Sequence, residues 1–496
     1  MNLAAQTPSI DWLAIAPVIA LVIAALVIIL LRSVVRHAGW VYGASIGIGF
    51  AGLAAAALFL TCQWSEVSDS GPFLTLDDMV AIDGFAVFIG VIVLIAASLA
   101  LLLSSQYLAR QGIESRPEYV ALLLMSTAGM LVMSTANDLI VVFVALETLS
   151  IPLYVMAAYD RRRARSLEAG MKYFVLGAFA SAIFLYGIAL VYGATGTTSL
   201  SGIADFLASV TLLSEGTLIA GIMLLLVGLG FKIAAVPFHM WTPDVYDGSP
   251  TPVTAFMASA TKAVGFAALI RILFTGLDLY RDDWRPAIWA LAVITLVVGS
   301  VVAIAQTDMK RMLAYSSISH AGYVLIGVEA GTREGLQSAL VYLLVYAFMT
   351  VGSFAIVAVI GRRDDKHLIE DYRGLGRDRP VMAALLALFL LAQAGIPPTG
   401  GFIAKLGIFA AAADAHSYSL LIIGVVASVV GAVFYLRVIL VMFARADEES
   451  DIPAANHSRV DSPTTAVLAL CAAFTIWFGV LPTIVLEFAS NAHLIF

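Results

Sequence analysis

The stretch LLLVGLGFKIAAVPFHMWTPDVYDGSPTP, residues Leu224–Pro252, decides how the chain folds. Its first half is apolar enough to lie inside a bilayer, yet it contains Lys232, and a lysine at that depth costs about 2.5–3.5 kcal/mol on insertion scales. Pro237 follows and interrupts a helix, because proline lacks the backbone N–H and clashes with the preceding turn. The lysine is either a structural residue paired with a neighbour or a proton or ion site. The second interpretation is favoured because the pattern recurs later in the chain.

The composition predicts an all-α polytopic membrane protein. Of 496 residues, 61% are hydrophobic and 12% are charged, against about 25% charged in soluble domains. Apolar runs of about 20 residues indicate spanning helices rather than the shorter alternating strands of a membrane barrel. The net charge of −7 gives no sign of a nucleic-acid partner. Cys62 and Cys471 form no CxxC pair, which argues against a zinc site, an iron–sulfur cluster or a disulfide framework.

Fourteen membrane spans are predicted within a single transmembrane domain. They are Trp12–Leu31, Val41–Cys62, Met79–Leu103, Glu118–Ser134, Leu139–Ala157, Met171–Ala194, Thr217–Val236, Val253–Phe274, Ile288–Gln306, Met309–Val328, Leu336–Ile360, Val381–Ala412, Leu420–Phe443 and Thr465–Phe488. No basic residue precedes the first span, and the predicted inner loops hold eighteen Lys and Arg against three outside. This bias predicts that both termini lie outside.

A second interrupted helix is predicted at AGIPPTGGFIAKLGIF, residues Ala394–Phe409. Pro397 and Pro398 break the helix, and Lys405 follows in apolar surroundings. Broken helices at corresponding places indicate inverted repeats with a site at mid-membrane depth. We expect spans four to eight (118–275) and nine to thirteen (285–443) to form two inverted five-helix repeats with discontinuous helices seven and twelve. Spans one to three (1–117) and span fourteen (462–488) flank them.

Ionisable side chains inside the predicted spans form the candidate site. They are Glu147, Lys172, Lys232, Lys262 and Lys405, together with His239 and His320. Buried amines and carboxylates can exchange protons near neutral pH, and histidine does so without any perturbation. The set therefore predicts a proton relay, with Glu147 paired with a lysine such as Lys172 or Lys232.

Structural alternatives exist for several of these residues. Lys172 lies near a basic loop and could extend its amine to the membrane surface. Lys262 follows small residues suited to helix packing, and the two histidines could bond backbone carbonyls. Lys310 lies near an inner helix end, from which it could snorkel, and Asp83 is expected at the interface.

The glycine pattern GIGFAG, residues Gly47–Gly52, matches a nucleotide-binding signature but lies inside a predicted span with no strand before it. It predicts helix packing. No P-loop or haem-like histidine pair is present in the sequence, so we expect the chain itself to bind no cofactor such as NADH, flavin or ATP, and no metal.

Three motifs closely resemble the subunit N family of bacterial NADH:quinone oxidoreductase, respiratory complex I, which belongs to the antiporter-like Mrp superfamily. They are GLGFKIAAVPFHMWTPDVYDGSPTPVTAFMASATK (Gly228–Lys262), DMKRMLAYSSISHAGYVLIG (Asp308–Gly327) and GIPPTGGFIAKLGIF (Gly395–Phe409). The resemblance covers about residues 118–443. Lys405, in place of the glutamate expected of subunit M, and the absence of a long lateral helix favour subunit N.

The resemblance implies a proton-translocating membrane-arm subunit of a translocase in the bacterial inner membrane. Electrons would pass from NADH to quinone in partner subunits, which hold the flavin and iron–sulfur clusters. Glu147 and Lys232 would be the coupled pair, modulated by Lys172. Lys262, His320 and His239 would form a central polar axis, and Lys405 would lead to the outer exit.

Two other functions remain open at this point. A subunit of a Mrp-type Na⁺/H⁺ antiporter would carry similar residues, although a sodium site needs several oxygen ligands and the spans offer few carboxylates beyond Glu147. A scaffold that only completes the membrane arm leaves the buried lysines without a purpose. The sequence is also compatible with a subunit of a plastoquinone- or F420H2-linked complex, because the electron donor binds to another subunit.

Overall fold

The computed structural model describes residues 10–35, 40–113, 116–211, 215–361, 367–445 and 460–495. Five of the inner-loop cations counted above lie outside the described residues: Arg36, Arg362, Arg363, Lys366 and Arg459.

Helices make up almost all of the described chain. In order they are α1 (Trp12–Val34), α2 (Val41–Ser70), α3 (Gly84–Arg110), α4 (Pro117–Thr135), α5 (Leu139–Ala157), α6 (Ala164–Thr195), α7 (Leu200–Ser209), α8 (Gly216–Ile233), α9 (Trp241–Gly248), α10 (Thr251–Phe256), α11 (Lys262–Arg271), α12 (Arg281–Ile304), α13 (Met309–Glu329), α14 (Arg333–Ile360), α15 (Leu375–Asp378), α16 (Pro380–Ala394), α17 (Gly400–Asp414), α18 (Tyr418–Phe443), α19 (Ser462–Val480) and α20 (Thr483–Ser490). Two short antiparallel strands, β1 (Phe73–Thr75) and β2 (Val80–Ile82), form a hairpin between α2 and α3. Short 3₁₀ turns occupy Asp278–Tyr280 and Ile369–Tyr372.

The predicted all-α membrane fold is confirmed. Twelve helical segments of the described chain are long and apolar enough to cross a membrane. The other two predicted spans correspond to α13, which carries many polar residues, and to α16 with α17, which are separately too short. In the most apolar 18-residue stretch of each helix, 94% of the residues of α14 and 100% of those of the segment Thr251–Gly276 are buried. The corresponding share is 33% for α1, α2, α6 and α18. The first two therefore form the centre of the bundle, and the other four lie at its outer edge.

Both predicted helix breaks are present. α8 ends at Ile233, because Ala234 adopts a left-handed φ of 62°, and the helix resumes as α9. The second break separates α16 from α17 after Gly395, whose φ of 86° favours glycine. A Cβ on Gly401 would lie 1.8 Å from the Ala392 carbonyl oxygen, so only glycine allows α17 to start this close to α16. The inverted relation of the two repeats stays a prediction.

A wider helical turn precedes Lys262. The segment Met257–Thr261 is π-helical, as is Ile272–Gly276 at the other end of α11. π-helical turns commonly mark functional positions, because they redirect side chains that an α-helix would place elsewhere. Every residue from 251 to 276 is buried, so this irregular helix presents Lys262 to the interior of the bundle.

Candidate functional site

Lys232 lies at the end of α8, beside the first break, and is 3% exposed. Its Nζ donates hydrogen bonds to Ser150 Oγ at 2.8 Å and to the Tyr173 hydroxyl at 3.3 Å. Trp241, the first residue of α9, stacks on the Tyr173 ring at 4.6 Å and donates its indole N–H to the Phe231 carbonyl. The break thus supplies both the lysine and the aromatic wall that holds its partner in place.

Glu147 does not contact Lys232 directly. It lies half-buried on α5, where its carboxylate accepts a hydrogen bond from Ser181 on α6. Ser150, the acceptor for Lys232, lies three residues further along α5, so one helical turn separates the carboxylate from the amine's partner. The carboxylate and the amine are therefore each bonded to a serine rather than to each other.

Lys262 is 3% exposed and donates its Nζ hydrogen to the Ser317 carbonyl of α13. The amine lies 5.9 Å from the centre of the Tyr346 ring on α14. α8 and α11 pack closely here, because a Cβ on Gly265 would lie 3.5 Å from the Lys232 side chain. Lys262 is one turn from Gly265, so the first two buried lysines occupy facing helices.

His320 stands at the centre of a buried hydroxyl network. Its Nδ1 is 2.7 Å from the Tyr342 hydroxyl, and its Nε2 is 3.1 Å from the Tyr435 hydroxyl. The Tyr435 hydroxyl also bonds Ser316, whose Oγ donates to Gln393 Oε1 at 3.1 Å. The Tyr346 ring, 5.9 Å from Lys262 Nζ, lies 4.9 Å from the His320 ring and so links the histidine to that lysine.

Lys405 follows the second break, on α17, and is 5% exposed. Its Nζ donates to the Ala394 carbonyl at 2.9 Å and to Ser428 Oγ at 2.8 Å. Ala394 is the last residue of α16, and the break leaves its carbonyl free to accept this bond. The amine also lies 4.5 Å from the centre of the Tyr323 ring, whose own centre is 5.9 Å from that of His320.

Lys172 and His239 lie apart from this buried axis. Lys172 has a side chain 40% exposed and forms ion pairs with Asp244 at 2.6 Å and with Glu168 at 2.7 Å. His239 is half-buried in the segment between α8 and α9, and its nearest aromatic neighbour is Tyr315, with 6.4 Å between ring centres. The structure thus groups four predicted residues inside the bundle and leaves these two towards its surface.

Comparison with known proteins identifies the family. The model for the NADH:quinone oxidoreductase/Mrp antiporter transmembrane family matches residues 136–431. The chain is 43% identical to NADH-quinone oxidoreductase subunit N of Trichlorobacter lovleyi over 448 residues, 90% of this chain and 89% of that one. It is 40% identical to the subunit N of Mycobacterium bovis, with 98% of each chain covered. The chain belongs to the subunit N family.

Solved structures agree with this assignment. A chain of respiratory complex I from Thermus thermophilus superposes on this chain with a TM-score of 0.80. The two are 34% identical, and the match covers 96% of this chain and 100% of that one. The Mrp complex from Dietzia gives a TM-score of 0.84 at 22% identity, covering 97% of each chain, which shows a shared fold.

The sequence analysis did not predict the contacts of two charged residues, Asp244 and Lys310. Asp244 on α9 binds both Lys172 and Arg311, the latter at 2.8 Å, and so joins α6, α9 and α13. The expectation that Lys310 snorkels is wrong, because it is 2% exposed and donates to the carbonyls of Asp247 and Ser249 at 2.9 and 2.8 Å. Its position after the Asp308 cap of α13 gave no signal of this burial, because the acceptors lie about 60 residues away in sequence.

A buried ion pair was also missed. Asp83, expected at the interface, is 0% exposed and accepts two hydrogen bonds from the Arg271 guanidinium at 2.8 and 2.9 Å. The residues are 188 positions apart, and Arg271 lies in an apolar span where the sequence offers no local partner. The pair fixes the far end of α11 to the start of α3.

Several buried hydroxyls meet no hydrogen-bond partner with good geometry among the described residues, including Thr261 and Ser317. Thr261 directly precedes Lys262, and the Ser317 carbonyl accepts from the lysine. Buried polar groups are ordinarily satisfied by protein or by ordered water, so these hydroxyls mark where water would bond inside the bundle. Within the described ranges, no three His, Cys, Asp or Glu side chains come together as metal ligands would.

Proposed function

We propose that the chain translocates protons across a bacterial inner membrane, as an antiporter-like subunit of a proton-pumping NADH:quinone oxidoreductase. Its termini lie on the outer side, and it assembles with the other membrane subunits of the complex. Electron transfer from NADH to quinone takes place in partner subunits that hold the flavin and iron–sulfur centres. This chain contributes no redox centre and converts the released energy into proton movement.

The observation that carries the proposal is the burial of four protonatable side chains between two interrupted helices. Lys232, Lys262, His320 and Lys405 are each 5% exposed or less. Burying an unpaired charge in a membrane protein is costly and marks a functional site by default. None of the four forms an ion pair in the structure; each is bonded instead to hydroxyls or carbonyls. A neutral partner stabilises either protonation state, which a permanent ion pair does not.

Hydroxyls give three of the four sites a neighbour that can both donate and accept a hydrogen bond, whereas Lys262 is bonded to a carbonyl. Ser150 and Tyr173 contact Lys232, Tyr435 contacts His320, and Ser428 contacts Lys405. The buried hydroxyls around Lys262 provide positions for water between these sites. Protons can therefore pass along the series by exchange through hydroxyls and water, without a diffusing ion.

Glu147 and Lys172 regulate entry to this series. Loss of the Glu147 charge would weaken the attraction for a proton on Lys232, because Glu147 lies one turn of α5 from Ser150, the hydroxyl that Lys232 contacts. Lys172 is held in ion pairs by Asp244 and Glu168, and opening of those pairs would free its charge to modulate Glu147.

A sodium/proton antiporter subunit is the second candidate, supported by the shared fold with the Mrp complex. Sodium prefers a cage of oxygen ligands, whereas the buried axis presents amines, an imidazole and hydroxyls. This chemistry favours protons.

The test uses the assembled complex in native membranes, with Lys232→Ala and Glu147→Gln as separate variants. Glutamine keeps an acceptor for Ser181 and removes only the ionisable group. We expect both variants to assemble and to lose most of the NADH:quinone reductase activity that is coupled to a proton gradient, with Arg377→Gln, an exposed residue on α15, as the matched control. Full pumping by both variants refutes the relay, and dependence of transport on Na⁺ supports the antiporter.

A further inference from the structure

Glu329 is a buried carboxylate that the proton axis described above does not use. It is the last residue of α13 and is 3% exposed. Arg285 on α12 donates its Nε hydrogen to the carboxylate at 3.0 Å. The Ser417 hydroxyl, at the start of α18, lies 2.9 and 2.7 Å from the two carboxylate oxygens and donates to them. Three helices therefore converge on this one acid.

The carboxylate lines a pocket of about 470 Å³ at these helix ends. The pocket lies on the side of the bundle away from the basic loops, which the charge distribution assigns to the outer side of the membrane. The other charged or titratable groups that line it are Arg285, Asp282 and His416. Asp282 and His416 are exposed, whereas Glu329 is buried, so Glu329 forms the floor of the pocket.

One face of α18 connects this acid to Lys405. Ser417, Gly424 and Ser428 are spaced by seven and then four residues, which places them on the same side of a helix with about 3.6 residues per turn. Ser428 accepts a hydrogen bond from Lys405, and Ser417 donates to Glu329. The rise between the two serines is about 16 Å. The amine and the carboxylate thus lie at two levels along one helix face.

An apolar layer separates the two levels. A Cβ on Gly424 would lie 2.8 Å from Ile326 Cδ1 and 2.9 Å from Phe409 Cε1, so both side chains press against this face of α18. Ile326 lies one turn before Glu329 on α13. Phe409 lies one turn beyond Lys405 on α17. The layer therefore stands between the buried amine and the pocket.

We propose that Glu329 is the outlet carboxylate of the proton axis, and that the layer of Ile326 and Phe409 is its gate. When water enters the layer, the Lys405 ammonium gives up a proton through that water and becomes a neutral amine, and Glu329 becomes a neutral acid. Water in the pocket then takes the proton from the acid. Arg285 favours this release, because an adjacent cation stabilises the ionised carboxylate. The inference rests on the proposed function and adds an outer site to it.

The test is NADH-driven turnover of the assembled complex in sealed proteoliposomes, with the outer side of the complex facing the lumen. The lumen is buffered at a series of pH values, and a potassium diffusion potential keeps the total protonmotive force constant. Turnover of the wild type should fall as the lumen becomes acidic, because the outlet carboxyl then stays protonated.

Glu329→Gln keeps an oxygen that accepts from Arg285 and Ser417 but cannot take up a proton. Its turnover should be at least about tenfold slower than that of the wild type and independent of lumen pH. Glu329→Asp should keep the dependence on lumen pH. Arg285→Gln removes the cation and should move the midpoint of that dependence to higher pH, which keeps the test decisive if Glu329→Gln does not assemble.

The other titratable groups of the pocket are the matched controls. Asp282→Asn and His416→Asn should keep the wild-type dependence, and asparagine suits the left-handed backbone of His416, whose φ is 58°. The inference is overturned if Glu329→Gln keeps the wild-type dependence, if His416→Asn loses it, or if Arg285→Gln leaves the midpoint unmoved. The relay itself would still stand in those cases, because it is tested separately by Lys262→Met.

Discussion

The buried ion pair between Asp83 and Arg271 allows a quantitative test of how the bundle holds α11. Arg271→Met keeps the volume of the side chain and removes both hydrogen bonds to Asp83, at 2.8 and 2.9 Å. The carboxylate is then buried without a cation, although the amide N–H groups of Ala86 and Ile495 still donate to it. Breaking one side of a buried pair costs about 3–5 kcal/mol, and these two remaining donors favour the lower end of that range.

The double variant Asp83→Asn/Arg271→Met should cost less than the sum of the two single variants. Each single change leaves one uncompensated charge, whereas the double change leaves none, so we expect a coupling energy of about 1–3 kcal/mol. The exposed pair Arg373 and Glu370, at 2.7 Å, is the matched control, and its removal should cost less than about 1 kcal/mol.

The free energies of unfolding are measured by titrating each purified variant in detergent micelles with SDS and following the loss of helix by circular dichroism. A penalty for Arg271→Met as small as that for the exposed pair would refute the reasoning. So would exact additivity of the two single changes, because it would show that the charges do not depend on each other.

Three further predictions concern the inner surface and the second break. Lys310→Met leaves the buried carbonyls of Asp247 and Ser249 without a donor, which costs about 1–3 kcal/mol for each carbonyl. The melting temperature of the complex should therefore fall. An unchanged melting temperature would contradict this prediction and would mean that water replaces the amine. Burial lowers the pKa of His367 to about 3, and the nearby cations Lys310 and Arg163 contribute to this shift. Below about pH 6.5 the unfolded chain therefore binds a proton at His367 that the folded chain does not bind. The free energy of unfolding should therefore fall by about 1.4 kcal/mol between pH 8 and pH 5.5, and the His367→Gln variant should not show this fall. The same pH dependence in the variant and in the wild type would contradict the prediction. Gly401→Ala forces a methyl group into the Ala392 carbonyl and should prevent assembly, judged by the absence of the chain from purified complex. Gly407→Ala on the same helix meets only the Ser338 hydroxyl, at 3.1 Å, which a small movement of that side chain relieves, so this variant should assemble.

The interrupted helices and the buried lysines could be predicted because their signals are local. Pro237 and the Pro397–Pro398 pair cannot continue a helix, and Lys232 and Lys405 have apolar neighbours on both sides. The partners of those lysines could not be predicted in the same way. Lys232 is held by Ser150 and Tyr173, which lie 82 and 59 residues away. Lys405 is held by the Ala394 carbonyl and Ser428, only 11 and 23 residues away, but serines and carbonyls are common in every span and nothing local singles these out.

The pairing of charges was the least predictable feature. Glu147 was expected to pair with a lysine such as Lys172 or Lys232, whereas in the structure Glu147 accepts from Ser181, Lys232 donates to Ser150 and Lys172 binds Asp244. Which of several carboxylates a lysine reaches depends on how α5, α6 and α9 pack, and the sequence gives no register for that packing. The same reason explains why the burial of Lys310 and the partner of Arg271 were missed.

The central claim, that protons pass through the buried axis of this chain, is tested most directly at its middle. The measurement is the number of protons moved per NADH oxidised by the assembled complex in sealed proteoliposomes, with wild type compared with Lys262→Met. Methionine fills a similar volume and cannot take up a proton. The account predicts fewer protons per NADH, or coupled turnover at least tenfold slower, and the same ratio at the same rate as wild type would contradict it.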